Sequence, residues 1–262
     1  MNIKLIATDM DGTLLNNEHQ FDEEFIEVFF KLKEKNIRFV VASGNQYYRL
    51  YQLFLPMSKD IIFIAENGSM IVDGEKLLCT NPLFKKDVNT TIDILKRFDN
   101  LRVVMCGEQS AYALKKEEDF EEIVKRHYCN YKMVNSLKEI DDSIIKFSIN
   151  DPQNQIKKYL KDIEENLPEG LRIVTSGNEW MDIQCSDTNK GEGMKVVQKL
   201  LNVSKDECMV FGDQMNDFEM FKEAKYSYAM KNAVQDLKNI AYDICDSNDE
   251  KGVIKTIEKK VL

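Results

Sequence analysis

The chain is 262 residues long and carries a formal net charge of −9, from 36 basic against 45 acidic side chains. That length can bury one large core or a core with a smaller companion. An acidic balance without a block of Lys and Arg argues against a nucleic-acid surface, where counterion release needs clustered cations. No apolar run approaches a membrane span and no charged leader precedes one, so a cytoplasmic protein with no membrane partner is expected.

The first element is a buried strand at Leu5-Ile6-Ala7, which runs directly into Asp9-Met10-Asp11-Gly12-Thr13. In an open α/β sheet, ligands bind outside the carboxyl ends of the strands, so Asp9 and Asp11 stand where chemistry is usually done. Gly12 lets the backbone turn sharply, and an Asp-Gly pair is also a common plain turn. A calcium loop is a third reading, but its fifth, sixth and twelfth positions would be Thr13, Leu14 and Gln20, which lack the required acids and glycine. Phe25, Val28, Phe29 and Leu32 then mark one helix face. The strand Arg38 to Ala42 ends in Ser43-Gly44-Asn45, which offers a hydroxyl and backbone N–H groups where a helix begins. Such a turn suits an anion, although Ser-Gly after a strand is as often an ordinary loop.

A further buried strand spans Ile61 to Ala65, and after it the pattern changes. From about 82 to 183, helical faces (Ile92 with Leu95; Phe120, Ile123, Val124 and His127; Ile156, Tyr159, Leu160 and Ile163) alternate with strands at Arg102 to Met105, Ile144 to Ile149 and Leu171 to Val174. None of these carries a phosphate motif, so the segment reads as an inserted α/β unit. Past it, Lys190 opens a helix marked by Met194, Val197 and Leu201. A cation there opposes the helix dipole unless an anion is near. Met209-Val210-Phe211 is another buried strand and runs into Gly212-Asp213-Gln214-Met215-Asn216-Asp217. Singly, Asp213 or Asp217 reads as a helix N-cap. Together, Asp9, Asp11 and Asp213 would repel in one crevice unless a cation sat among them. All-oxygen ligands without histidine or thiolate point to Mg²⁺. Helices at Val234, Leu237 and Ala241 and at Val253, Ile254, Ile257 and Val261 complete an α/β alternation, which implies a Rossmann-like parallel sheet covered by helices.

The remaining candidates are weaker. Six cysteines (79, 106, 129, 185, 208 and 245) lie far apart with no C-x-x-C pair, so neither zinc nor a disulfide framework is signalled, and they read as reduced core thiols. His19 and His127 are the only histidines, which gives a histidine base little support.

In order and type, DMDGT, then Ser43-Gly44, then Lys190-Gly191, then GDQMND, the chain resembles the four-motif signature of the haloacid dehalogenase (HAD) phosphohydrolases. It looks most like the Cof-type branch and, within it, the bacterial sugar phosphatases, through Ala42 to Tyr48, Ala65-Glu66-Asn67-Gly68 and Tyr228 to Ala233. One departure stands out: many Cof-type members have Thr-Gly-Arg where this chain has Ser43-Gly44-Asn45. The resemblance implies a catalytic core at 1–81 and 184–262 and an inserted cap at 82–183 that sets specificity. It further implies a Mg²⁺-dependent phosphatase acting on small phosphate monoesters, sugar phosphates foremost. Asp9 would be the nucleophile, Asp11 the acid and base, and Lys190 the charge-neutralising cation. Asp9, Asp11 through its backbone carbonyl, and Asp213 would hold the metal. Ser43, Gly44, Lys190 and Asn216 would hold phosphate, and Asp217 would orient the metal shell or Lys190. Specificity candidates are Asn45, Gln46 and Tyr47 beside the phosphate loop, and Gln109, Ser110, Tyr112, Asn178 and Trp180 in the insert. Rival readings are a phosphomutase or other phosphotransferase on sugar phosphates, and a sensor that binds Mg²⁺ or phosphate without turnover.

Overall fold

A computed structural model describes residues 1–115, 118–176 and 178–262. In chain order the strands are β1 (Leu5–Thr8), β2 (Arg38–Ala42), β3 (Ile61–Ala65), β4 (Met70–Asp73), β5 (Lys76–Thr80), β6 (Arg102–Gly107), β7 (Ala111–Leu114), β8 (Tyr131–Val134), β9 (Ile144–Asn150), β10 (Leu171–Ser176), β11 (Trp180–Cys185), β12 (Cys208–Gly212), β13 (Tyr226–Met230) and β14 (Asp243–Cys245). The α-helices are α1 (Glu24–Glu34), α2 (Tyr47–Leu53), α3 (Lys85–Leu95), α4 (Glu118–His127), α5 (Leu160–Glu164), α6 (Lys190–Leu201), α7 (Phe218–Lys222), α8 (Gln235–Ile240) and α9 (Gly252–Lys260). The chain divides into two compact units, one made of Met1–Leu78 with Asn189–Leu262 and the other of Cys79–Thr188.

The first unit is built on a sheet ordered β14-β13-β12-β1-β2-β3-β4-β5. From β14 to β3 every pairing is parallel, with Thr8 beside both Phe211 and Val41. Strands buried on both faces read as unbroken apolar runs, and β1, β3 and β12 are fully buried. Phe25 and Phe29 of α1 meet Phe39 of β2, while Phe54 meets Phe63 of β3. On the opposite face a Cβ at Gly193 of α6 would lie 2.5 Å from Ile64, so glycine lets that helix press onto β3. Consecutive β1 and β2 lie side by side, whereas β12 joins the other flank of β1. The order therefore reverses at β1, and the crevice beyond β1 and β12 is the switch point where open α/β sheets bind ligands.

The sheet is not parallel throughout, as the alternation alone implies. β4 runs antiparallel to β3 and turns into β5 at Asp73-Gly74, where Gly74 has φ +58°. A glycine at positive φ is what such a tight hairpin requires.

The second unit carries a sheet ordered β10-β11-β9-β6-β7-β8. All of its pairings are antiparallel except β7 with β8. Phe147, Ile149, Met181 and Ile183 line one face and pack with Ile92 and Leu95 of α3 and Ile163 of α5. By strand alternation the other face carries Lys146, Ser148 and Asp182, and there Asp182 accepts from Lys146 Nζ at 2.9 Å and from Ser148 Oγ at 2.7 Å. Asp182 is thus spent inside this sheet. The reading of all six cysteines as core thiols is corrected for two of them: Cys79, on the edge strand β5, and Cys129, just past α4, are exposed.

Among the described residues, no helix is long and apolar enough to cross a membrane.

Candidate active site

Asp9 leaves β1 at the switch point, and its N–H donates to the Phe211 carbonyl at 3.0 Å, which stitches the end of β1 to β12. Its side chain is nearly buried. Asp213 leaves β12 one residue past its end, also nearly buried, and accepts from Thr13 Oγ1 at 3.0 Å and Gln214 Nε2 at 3.2 Å. Close approach of the two loops depends on Gly12, which sits at φ +78° and where a Cβ would come 2.6 Å from Asp213 Oδ2.

Lys190 is the first residue of α6, a helix capped by Asn189, whose side chain accepts from Glu192 N at 2.9 Å. Its ammonium is completely buried and bridges Asp9 Oδ1 at 2.5 Å and Asp217 Oδ1 at 2.7 Å. Asp217 uses its other oxygen to accept the backbone N–H groups of Asp213 at 2.9 Å and Gln214 at 3.1 Å. It therefore organises the loop that carries Asp213 and at the same time aims Lys190.

Carboxylate oxygens of Asp9, Asp213 and Asp217 lie within 4.8 Å of one another. Burial pushes Asp9 up to about 6 against the pull of Lys190, and Asp213 adds to the rise. Burial likewise lifts Asp217 to about 6, opposed by Lys190 and reinforced by Asp9. Asp213 is also raised, by burial first and then by Asp217. For Lys190, burial works against the charge, but Asp217 and Asp9 outweigh it and hold the ammonium above its ordinary value. Three buried carboxylates around one ammonium leave negative charge uncompensated, and their donors are all hard oxygens. That donor set fits a divalent cation of the Mg²⁺ type.

Asp11 behaves differently. Its side chain is 47 % exposed, with one oxygen 3.1 Å from His19 Nδ1 and the other accepting from Asn45 Nδ2 at 3.0 Å. Its carboxylate is thus outside the buried cluster. Ser43 donates its N–H to Ile64 O at 2.9 Å, and its hydroxyl accepts from the backbone N–H and the side-chain amide of Asn45, each at 3.1 Å. Behind this loop, Asn67 N–H donates to Ser43 O at 3.0 Å and Glu66 N–H to Asn45 O at 3.1 Å. Both donors sit in the left-handed region, at φ 57° and 52°. Asn216 is exposed at the turn after Asp213, and its side chain hydrogen-bonds no described residue.

The specificity candidates separate by environment. Tyr47 is buried and donates to Gly74 O at 2.7 Å, and burial pushes its phenol to about 12, so it braces the β4–β5 turn. Gln46 is buried at the start of α2. Ser110 is buried beside Asn130, and the Tyr112 hydroxyl donates to Asp142 Oδ2 at 2.9 Å. Trp180 packs edge-on against His127, ring centres 5.0 Å apart. Gln109 and Asn178 are exposed, and neither side chain bonds a described residue. Residues that the sequence reading passed over also shape the site. Asn232 Nδ2 donates to Gly12 O at 2.8 Å and Asn248 Nδ2 to Leu15 O at 3.0 Å, pinning the acidic loop from 220 and 233 positions away. Asn232 lies inside the Tyr228 to Ala233 segment that carries the Cof-type likeness, but no local pattern marks Asn248.

An acidic, lysine-bearing crevice at the switch point of a parallel sheet defines a phosphate-ester enzyme, and comparison with known proteins agrees. Over residues 6–257 the chain matches the haloacid dehalogenase-like hydrolases, and it belongs to that family. It is 34 % identical over 261 residues to the 5-amino-6-(5-phospho-D-ribitylamino)uracil phosphatase YbjI of Escherichia coli K12, covering 99 % of this chain and 96 % of that one. A Bacillus subtilis 168 phosphatase of the same description, YcsE, is 27 % identical and covers 100 % and 97 % of the two chains. The crystal structure of SMU.1108c from Streptococcus mutans UA159 matches with a TM-score of 0.87 at 32 % identity, covering 98 % of each chain. The protein is a HAD-type phosphoric monoester hydrolase of small phosphorylated metabolites. Phosphotransfer and silent sensing give way to hydrolysis.

Proposed function

We propose that the protein is a Mg²⁺-dependent phosphatase of sugar and polyol phosphates that works through an aspartyl-phosphate. The observation that carries this reading is the buried carboxylate cluster closed by one lysine, at the mouth of the switch-point crevice. Lys190 occupies Asp9 Oδ1, which leaves Oδ2 to attack phosphorus in line. Asp11, half in solvent, is the group that can exchange a proton: it protonates the departing sugar oxygen and then takes a proton from the water that cleaves the aspartyl-phosphate. Ser43, Gly44 and Asn216 hold phosphoryl oxygens while Lys190 offsets their charge. Asp9, the Asp11 carbonyl and Asp213 would hold the metal, which when bound neutralises phosphoryl charge and orients the ester.

Selectivity is assigned to the inserted unit, because the acidic-motif side chains are committed to metal and phosphoryl group. Gln109 and Asn178 are the candidates whose side chains bond no described residue, and each can pair a leaving group as donor and acceptor. The two named relatives dephosphorylate a ribityl chain on a uracil ring, a hydroxyl-rich leaving group of the kind proposed here.

The test is phosphate release over a panel of pentose, hexose, ribityl and flavin phosphates, with Mg²⁺ and after exhaustive chelation. Hydroxyl-rich monoesters should lead, flavin phosphate should trail, and chelation should abolish every signal. Gln109→Ala should reorder the panel, since losing one ordinary hydrogen bond to the leaving group costs roughly 0.5–1.5 kcal/mol, or about twofold to tenfold. Full activity after chelation, or flavin phosphate in front, would overturn the reading.

A further inference from the structure

Asp11 has a demanding task in the mechanism above, yet its carboxylate is 47 % exposed and outside the buried cluster. An exposed aspartate samples several rotamers, and a proton donor is effective only when held near the leaving oxygen. The structure assigns that holding function to Asn45: we infer that Asn45 is the positioning residue that ties the acid and base, Asp11, to the phosphate loop. This rests on the reading of Asp11 as the proton donor.

The geometry is specific. The carboxamide of Asn45 has two N–H donors, and its nitrogen lies 3.0 Å from Asp11 Oδ2 and 3.1 Å from Ser43 Oγ. One side chain therefore spans the proton donor and a hydroxyl assigned to the phosphoryl group. Its root is fixed at both backbone groups: the N–H donates to Ser43 Oγ at 3.1 Å, and the carbonyl accepts Glu66 N at 3.1 Å. Asn67 N–H holds Ser43 O from the same side, so the loop beneath Asn45 is braced twice by residues in left-handed conformation. His19 touches the other Asp11 oxygen, but its side chain is 72 % exposed, and water competes for that contact. Asn45 thus acts through Asp11 and not as a selector of the leaving group, which changes the effect expected from its substitution.

The readout is the leaving group. A sugar alkoxide needs a proton to depart, whereas the nitrophenolate of p-nitrophenyl phosphate leaves without one. Because kcat/KM reports only the steps up to the first irreversible one, formation of the aspartyl-phosphate, it isolates this dependence. Asn45→Ala should lower kcat/KM for a pentose phosphate by about tenfold to a hundredfold and for p-nitrophenyl phosphate by about threefold at most. Asn45→Leu, which keeps the branched shape and removes both donors without adding charge, should behave alike and guards against a loop collapse in the alanine variant. Asp11→Asn is measured in parallel and should show the same split more strongly. Equal losses on both esters in both Asn45 variants, with the split intact in Asp11→Asn, would overturn the positioning role alone. Equal losses in Asp11→Asn would overturn the assignment of Asp11 as the acid, and with it this inference.

Discussion

Asp9→Asn should abolish turnover and leave the fold intact. The amide has the shape of the acid but is not a nucleophile, so phosphate release should fall by about 10³-fold or more. Stability should not fall with it. In the metal-free protein, Asp9 titrates at about 6 against an ordinary 3.8, so its ionised form is disfavoured by folding at neutral pH. Removing that charge relieves repulsion with Asp213 and leaves Lys190 paired with Asp217. The metal-free melting temperature of the variant at pH 7.5 should therefore match or exceed that of the parent. Residual activity above a few per cent would refute the covalent route, and a collapsed melting temperature would show that Asp9 is structural.

Lys190→Met should be the most damaging single change to stability. It strands two buried carboxylates, each now touching the ammonium, and breaking such a buried pair costs about 3–5 kcal/mol. The pH dependence has a definite sign. Asp9 and Asp217 are raised from 3.8 to about 6, so between those values the folded state binds more protons than the unfolded chain, and stability falls as pH rises through the window. Without the lysine both acids rise further, so the window widens toward neutral pH and the total loss grows. Denaturant titrations at pH 5 and pH 7.5 should show the variant much weaker at the higher value, with the deficit partly recovered at the lower. Parent-like stability at pH 7.5 would mean that the ammonium contributes little to holding the acids.

Strands β1, β2, β3 and β12 of the parallel sheet were legible because they are short apolar runs that end abruptly in polar residues, whereas β13 and β14 were not. Leu5-Ile6-Ala7 before Asp9 and Met209-Val210-Phe211 before Asp213 have no amphipathic period, as expected for strands covered on both faces. The β4–β5 hairpin was not read, although Asp73-Gly74 is a turn signal, because β5 is mostly exposed and breaks the apolar pattern. In the inserted unit, β8 and β11 were missed for a similar reason: β8 is half-exposed, and β11 alternates between a core face and a polar one, whereas β7 is buried but only four residues long. Within the site, local sequence placed acids at strand ends but said little about their partners. That Lys190 bridges Asp9 and Asp217, or that Asn232 and Asn248 pin the acidic loop, depends on contacts between residues distant in the chain. Tyr47 shows the converse: its nearness in sequence to the phosphate loop suggested a contact, but the helical turn of α2 directs its hydroxyl to Gly74.

The central claim is that phosphorus passes through Asp9, and the stereochemical course at phosphorus tests it most directly, because it does not depend on the intermediate accumulating. A phosphorothioate ester made chiral at phosphorus with ¹⁶O and ¹⁸O is hydrolysed in ¹⁷O-water by the Mg²⁺-loaded enzyme, and the configuration of the released thiophosphate is determined. Attack by Asp9 followed by attack of water is two inversions, so the account predicts net retention. Net inversion would mean that water attacks the ester directly, and would contradict it.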